Sequence, residues 1–452
     1  MKRFWRTSAT IAAAAMTVAL LGETALAQGT ANVGKHPQIS ILINASPWYA
    51  GFEKVVNLYE QQTGNKIKLD VTPYGGVLEK ARNAVRGQES PYDILNLDTQ
   101  WTIEFYEGGF LTPLTDIDPS FKLPPEVFTY DDSGYWNAEK RWRTSNGGKL
   151  MAYSPNGNVH LFVYRNDLFK DAGLKPPETW QDVTAACDKL HKPPRAYGAV
   201  FRGEKGNGIR YDWMPFMLGS GASIVKDPAA GDFTVTINSP EGKKALDLMI
   251  DVAKRCGPPN IAALAQADVI QLIATGRAAQ GLLVVAAWSD LENPSKSAVV
   301  GKLDVVPAPR PAAGRHGDAI GNWHFAVPKS VPEDRKKAVI AFSNWFLTQA
   351  VQKAYLEGGG IPVRSDVLTD DLAAQPKYRW LKPYLDSQKF AKQELGYAEG
   401  AQVEQALGLR LNQALLGEMS SAAALNAAAK EIEEIFRKTG RKTGSLPPLP
   451  EG

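Results

Sequence analysis

Cysteine is nearly absent from this 452-residue chain, with Cys187 and Cys256 the only two. That excludes a scaffold held together by many disulfides, and two distant cysteines with five scattered histidines offer no metal-ligand spacing. Catalytic signatures are missing too. There is no phosphate-cradling P-loop, no G-x-G-x-x-G after a strand, no G-x-S-x-G elbow and no H-E-x-x-H, so no motif supports nucleotide, serine-hydrolase or zinc-protease chemistry. Charge of one sign is not in excess. A net charge of +3, which falls to +1 without residues 1–27, argues against nucleic acid or an anionic membrane as partner. Long apolar runs are lacking as well, since Ala9 to Leu21 is too short for a tilted membrane span.

That short run belongs to a different pattern. Lys2, Arg3 and Arg6 precede it, and Ala25-Leu26-Ala27 follows as an A-x-A site, so residues 1–27 read as a signal peptide cleaved after Ala27 rather than an uncleaved anchor. Three basic residues and one acidic residue leave with it, and +3 becomes +1. No cysteine lies near Ala27 to take a lipid. Export to the periplasm, an oxidising compartment, leaves two states open for Cys187 and Cys256, a disulfide or two buried thiols. A bond closing that loop is worth about 4 kcal/mol in the chain-entropy model.

The chain is longer than a single hydrophobic core sustains, so two lobes are expected. Strand patterns at 38–43, 66–71 and 92–97 alternate with amphipathic helices, a βαβαβ rhythm that implies a parallel sheet with covering helices. Ligands on such sheets bind beyond the carboxyl ends of the strands, where Ser46, Trp48, Tyr74, Asp98, Gln100 and Trp101 lie. At 147–182 the rhythm changes. The strand-like run 149–154 is followed by Pro155-Asn156-Gly157-Asn158 and then a second apolar run, 159–164, with no helix between, which predicts a crossover between lobes. A further strand at 197–201 leads into the Gly-rich loop Arg202 to Arg210 and a helix carrying Trp213. A buried strand over 278–287 ends at Trp288, Asn322 to Val327 is strand-like, and Gly358-Gly359-Gly360 stops a helix and supplies a bendable joint. The tail from Thr443 is rich in Pro and Gly and is expected to fray. The resulting division is 28–154 with 305–360 as the first lobe, and 155–304 with 361–452 as the second.

Aromatic and planar polar side chains collect at these strand ends and loops: Trp48, Tyr74, Trp101, Trp213, Trp288 and Trp323, with Asp98, Gln100, Asn158, His160, Arg202, Asn322 and Arg364. A sugar needs both kinds, because its C–H faces lie flat on rings while its hydroxyl rim needs donors and acceptors in a plane. Each has a structural alternative. A tryptophan can be core, His160 sits inside an apolar run, and Arg202 or Arg364 can be an ion-pair partner. Trp180, Trp345 and Trp380 sit within helix patterns and read as core.

The segments Pro91–Ile94, Gly109–Leu114, Gly148–Phe169, Thr179-Trp180, Gly276–Trp288, Gly321–Pro328 and Gly358–Arg364, taken in this order and spacing, resemble the maltose-binding-protein-like extracellular solute-binding proteins, family 1. The resemblance covers essentially the whole chain after residue 27. It implies an α/β, two-lobe periplasmic binding protein fold of type II, with parallel or mixed sheets flanked by helices and a hinged cleft. It also implies a monomer that delivers a carbohydrate to the permease of an ABC importer, without cofactor or metal. By motif position, Ser46, Asp98 and Gln100 fall at ligand-contacting places, Trp288 matches the stacking tryptophan of the maltose-binding member, and Arg364 follows the pattern of polyol- and monosaccharide-type members. Asn158 stands where the maltose-binding member has a carboxylate, which favours a smaller sugar, a polyol or a sugar derivative. Two rival readings are an anionic sugar, prompted by Arg202, Arg210, His324 and Arg364, and an exported glycoside hydrolase with facing carboxylates. The two joints at Asn158 and Arg364 are expected to face one cleft.

Overall fold

The computed structural model describes residues 33–451, and the expected leader at 1–27 lies outside them. The first lobe is built as its apolar periodicity dictates: β1 (Ile39–Asn44), α1 (Tyr49–Thr63), β2 (Ile67–Thr72), α2 (Tyr74–Arg86), β3 (Ile94–Asp98) and α3 (Thr99–Glu107). β1 pairs in parallel with both β2 and β3, and all five residues of β3 are buried, as expected for a strand covered on both faces. Gly64, at φ 69°, ends α1 in the left-handed conformation that favours glycine.

After the short strand Ala152–Tyr153 the chain enters the second lobe. There β4 (His160–Arg165), α4 (Trp180–Leu190), α5 (Asn207–Gly219), α6 (Pro240–Cys256), β5 (Gln280–Val284) and β6 (Leu303–Val306) follow in order. β4 is the centre of an antiparallel sheet with β5 and β6 on its two sides. In β6, Val305 and Val306 pair with Val163 and Phe162 of β4. The chain then supplies β7 (Trp323–Pro328), an antiparallel neighbour of β3 that places Trp323 opposite Asp98. Next come α7 (Glu333–Phe346) and α8 (Gln349–Glu357), and last α9 (Gly400–Leu416) and α10 (Ser421–Lys438). The result is a two-lobe fold of mixed sheets flanked by helices.

Among the described residues the chain passes between the lobes at Pro155–Asn158, near Gly321 and after Gly358, and asparagine side chains lace these segments together. The Asn158 amide donates to Asn322 Oδ1 at 2.6 Å, and Gly321 N–H donates back to Asn158 O at 3.1 Å. Asn156 Oδ1 accepts from Tyr355 Oη at 2.7 Å and from the Ile361 amide at 2.9 Å. Asn156, rather than Arg364, therefore ties the first crossing to the last. Gly360 has to be glycine because a Cβ there would lie 2.1 Å from the Tyr355 ring.

Two further expectations resolve. Cys187 on α4 and Cys256 on α6 form a disulfide with Cα atoms 5.5 Å apart. The tail is not frayed throughout, since Thr443–Ser445 pairs with Phe233–Val235 and Leu449 donates to Asn426. Among the described residues no helix is long and apolar enough to cross a membrane.

The disulfide closes a sequence separation of 69 residues. Replacing both cysteines by serine should lower unfolding stability by about 4 kcal/mol in the chain-entropy account. Chemical denaturation checks this, and an unchanged midpoint would show that the bond contributes little.

Candidate functional site

Between the lobes, beyond the carboxyl ends of β1 and β3, lies a cavity of about 460 Å³, within the roughly 300–1,000 Å³ of small-molecule sites. The first lobe contributes Asn44, Ser46, Tyr74, Asp98 and Gln100, and the second contributes Arg202, Glu204, Asn207, Tyr211, Gln266 and Ala286. The crossings supply Asn158, Gly321 and Trp323.

One wall is aromatic. Tyr74 meets Trp101 at 4.9 Å and Trp323 at 5.8 Å between ring centres, and Trp101 meets Trp323 edge-on at 5.7 Å. Edge-to-face packing of this kind fixes ring orientation. Beside it Asp98 caps α3, accepting from the Gln100 amide at 3.3 Å and Gln100 Nε2 at 3.2 Å, while Tyr74 Oη donates to it at 3.3 Å. Burial, reinforced by the nearby Glu404 charge and opposed by Arg210, pushes the Asp98 carboxyl up to about 7.

The opposite wall is ionic but internally matched. Arg202 donates to Asp212 from Nε at 2.8 Å and from its own amide at 2.7 Å. Asp212 also faces His160 Nε2 at 3.1 Å, and His160 Nδ1 meets Asp318 at 2.6 Å. Burial opposes charge on His160, yet the two carboxylates outweigh it and raise its pKa, while Arg202 and His160 overcome burial to hold Asp212 low. Tyr211 lies against this group, 4.1 Å from the His160 ring and under the Arg202 guanidinium at 5.0 Å. Arg210 donates to Glu404 at 3.0 Å and to Gln100.

Of the residues singled out from sequence, Ser46, Tyr74, Asp98, Gln100, Asn158, Arg202 and Trp323 line the cavity together. Trp101, Asn322 and His160 stand directly behind it, the last with no exposed surface. Four lie elsewhere. Trp48 packs edge-on against Phe52 in the first core, and Trp213, on the inner face of α5, is completely buried in the second. Trp288 is displaced because β5 stops at Val284 and the chain coils through Val285–Ala287, which leaves Ala286 at the cavity. The Trp288 indole instead donates to Lys377 O at 3.1 Å beneath the Arg379 guanidinium. Arg364 is held by Asp366 at 2.7 Å and Glu126 at 3.2 Å, so it does not share a cleft with Asn158.

Sequence reading missed Glu204, Asn207, Tyr211, Gln266 and the Arg210–Glu404 pair. The Gly-rich loop from Arg202 was visible, but α5 begins at Asn207, four residues before the expected start, which brings the loop's polar residues to the cavity. Tyr211 sits in an apolar helix pattern and carries no signal separating it from core. Among the described residues no group of three or more His, Cys, Asp or Glu side chains could hold a metal ion.

The model of the bacterial extracellular solute-binding protein family matches residues 44–353. The mannitol-binding protein of Pseudomonas aeruginosa is 24% identical over 459 residues, covering 96% of this chain and 98% of that protein. Among solved structures, an ABC transporter solute-binding protein from Agrobacterium radiobacter in complex with ribitol superposes with a TM-score of 0.77 at 24% identity, covering 88% of this chain and 99% of the other. The maltose-bound MalE3 of T. maritima gives 0.78 at 21% identity with the same coverage. With the family match spanning well over half its length, this chain belongs to the bacterial extracellular solute-binding proteins.

Proposed function

We propose that the protein captures a small polyhydroxylated molecule, a polyol or small sugar, in the interlobe cavity and presents the closed form to the permease of an ABC importer. The observation that carries this reading is the pairing of the Tyr74 and Trp323 rings, backed by Trp101, with the planar polar groups of Asp98 and Gln100 on the first lobe and Asn158 at the first crossing. Rings cover C–H faces and planar groups take vicinal hydroxyls. The related proteins named for mannitol, ribitol and maltose support the same class. Closure is a hinge motion about the laced crossings, driven by the ligand's better contacts in the closed form.

An anionic ligand is disfavoured by charge matching. Arg202 is committed to Asp212, Arg210 to Glu404, and Arg364 lies outside the cavity. His324 is buried between Ser133 and Thr102, and burial with the Arg143 charge drives its pKa down to about 3, so it is neutral. The hydrolase reading finds no support in a family of solute-binding proteins. A thermal-shift screen over sugars, polyols and acidic derivatives tests the reading, since a ligand raises stability by RT ln(1 + [L]/Kd). A response to acidic derivatives alone would refute it.

Trp323→Ala should weaken binding at least tenfold, about 1.4 kcal/mol, while Trp323→Phe retains most of the affinity in calorimetry. Equal affinity in both variants would remove Trp323 from the contact surface.

Asp98 sets a pH dependence. Hydroxyls donating to it favour the ionised carboxylate, so affinity should rise with pH through about 7 and fall below it by at most tenfold per pH unit. For the unliganded fold the sign is opposite. A carboxyl whose folded pKa is raised binds more protons folded than unfolded, so stability falls as pH climbs from about 4 towards 7. Asp98→Asn should therefore flatten the binding profile and raise the melting temperature of the free protein at pH 8. A lower melting temperature there would contradict the account.

A further inference from the structure

The cavity holds two carboxylates to which no cation is bonded among the described residues. The contacts of Asp98 are Tyr74 Oη, the Gln100 amide and Gln100 Nε2, all uncharged, and Glu404 adds a second negative field. Glu204 lines the opposite wall half-buried, with no hydrogen bond or ion pair to its carboxylate among the described residues. Of the charges that act on it, Asp268 and Asp212 share its sign, and Arg202 is already bonded to Asp212. Arg210, the cation acting on Asp98, is likewise spent on Glu404. Burial raises the pKa of both Asp98 and Glu204, the direction expected of acids that lack a partner.

Asn44 and Asn158 both line the cavity, each less than a tenth exposed, and the side-chain oxygen of each has no partner. For Asn158 the orientation is fixed, because its Nδ2 donates to Gly321 O at 3.0 Å and leaves Oδ1 buried without a partner. Gln266 Oε1 takes only a 3.4 Å contact from Arg202 Nη1. A cavity whose two carboxylates have no cation bonded to them is complemented by a ligand that brings positive charge. An ammonium group offers three donors and no acceptor, and a carboxylate taken out of water is costly unless a partner charge meets it.

We propose that the ligand is a polyol or sugar bearing a protonated amine, an amino-alditol or amino sugar, whose ammonium is received by Asp98 and Glu204. This rests on the reading of the cavity as a polyhydroxylated-ligand site and narrows it.

The test is calorimetry at pH 7.5 on the purified chain with two matched pairs: 1-amino-1-deoxy-D-glucitol against D-glucitol, and D-glucosamine against D-glucose. The amine member of at least one pair should bind ten times tighter or more. Glu204→Gln and Asp98→Asn should each cut that ratio at least threefold, circular dichroism confirming that the variants are folded. Neutral members binding as tightly as their amines would overturn the amine assignment and leave the polyol reading standing. A persistent ratio in both variants would overturn the role of the two carboxylates. Silence from all four compounds, in calorimetry and in the wider polyol screen, would overturn both.

Discussion

The amide of Asn158 meets the side-chain oxygen of Asn322 at 2.6 Å, and the geometry of the cleft depends on that strap. Asn322 is wholly buried at the second crossing, and its own carbonyl accepts from the Thr99 amide at 3.1 Å, which fixes where α3 begins. Since Asp98 caps α3 and Trp323 follows Asn322 opposite Asp98, one residue sets the positions of the acid, the ring and the first crossing together. A buried amide left without partners costs about 1–3 kcal/mol, so the strap is hard to abandon once formed. Asn156 does the same for the third crossing, through Tyr355 and Ile361. The crossings are therefore short segments held side by side, and rotation between lobes has to pass through them.

Charge is arranged with equal consequence. Both arginines in the cleft wall are committed to carboxylates within the protein, Arg202 to Asp212 and Arg210 to Glu404. They shape the wall, with Arg202 and Arg210 lying 5.0 and 5.5 Å from the Tyr211 ring centre, without offering an open positive charge to a ligand. Breaking either pair would leave a buried charge, a change worth about 3–5 kcal/mol. The wall is rigid for that reason. Asp98 and Glu204 remain as the groups whose charge a ligand can meet.

Much of the frame was legible in sequence because it follows from local periodicity. The βαβαβ opening and the helix-free stretch between Tyr153 and His160 appear as read, and the helix carrying Trp213 appears with an earlier start at Asn207. Seven of the fourteen chosen site residues share one cavity, since strand ends in such sheets face the ligand side. The positions that lie away from this cavity were set by distant partners or by where a strand ends. Trp288 left the cavity because β5 ends three residues earlier than its apolar run suggests. His160 became a bridge between Asp212 and Asp318, which lie 52 and 158 residues away. Arg364 found Glu126 and Asp366. Glu404 was hidden on α9 among Val403 and Leu407, where an apolar helix face gives no sign that one carboxylate turns towards Arg210.

The central claim is that ligand seated between the lobes draws them together about the asparagine-laced crossings. Small-angle X-ray scattering on the purified protein, with and without a saturating ligand drawn from the thermal screen, tests it most directly. The account predicts a smaller radius of gyration in the liganded sample. A ligand that raises the melting temperature while leaving the scattering curve unchanged would contradict it.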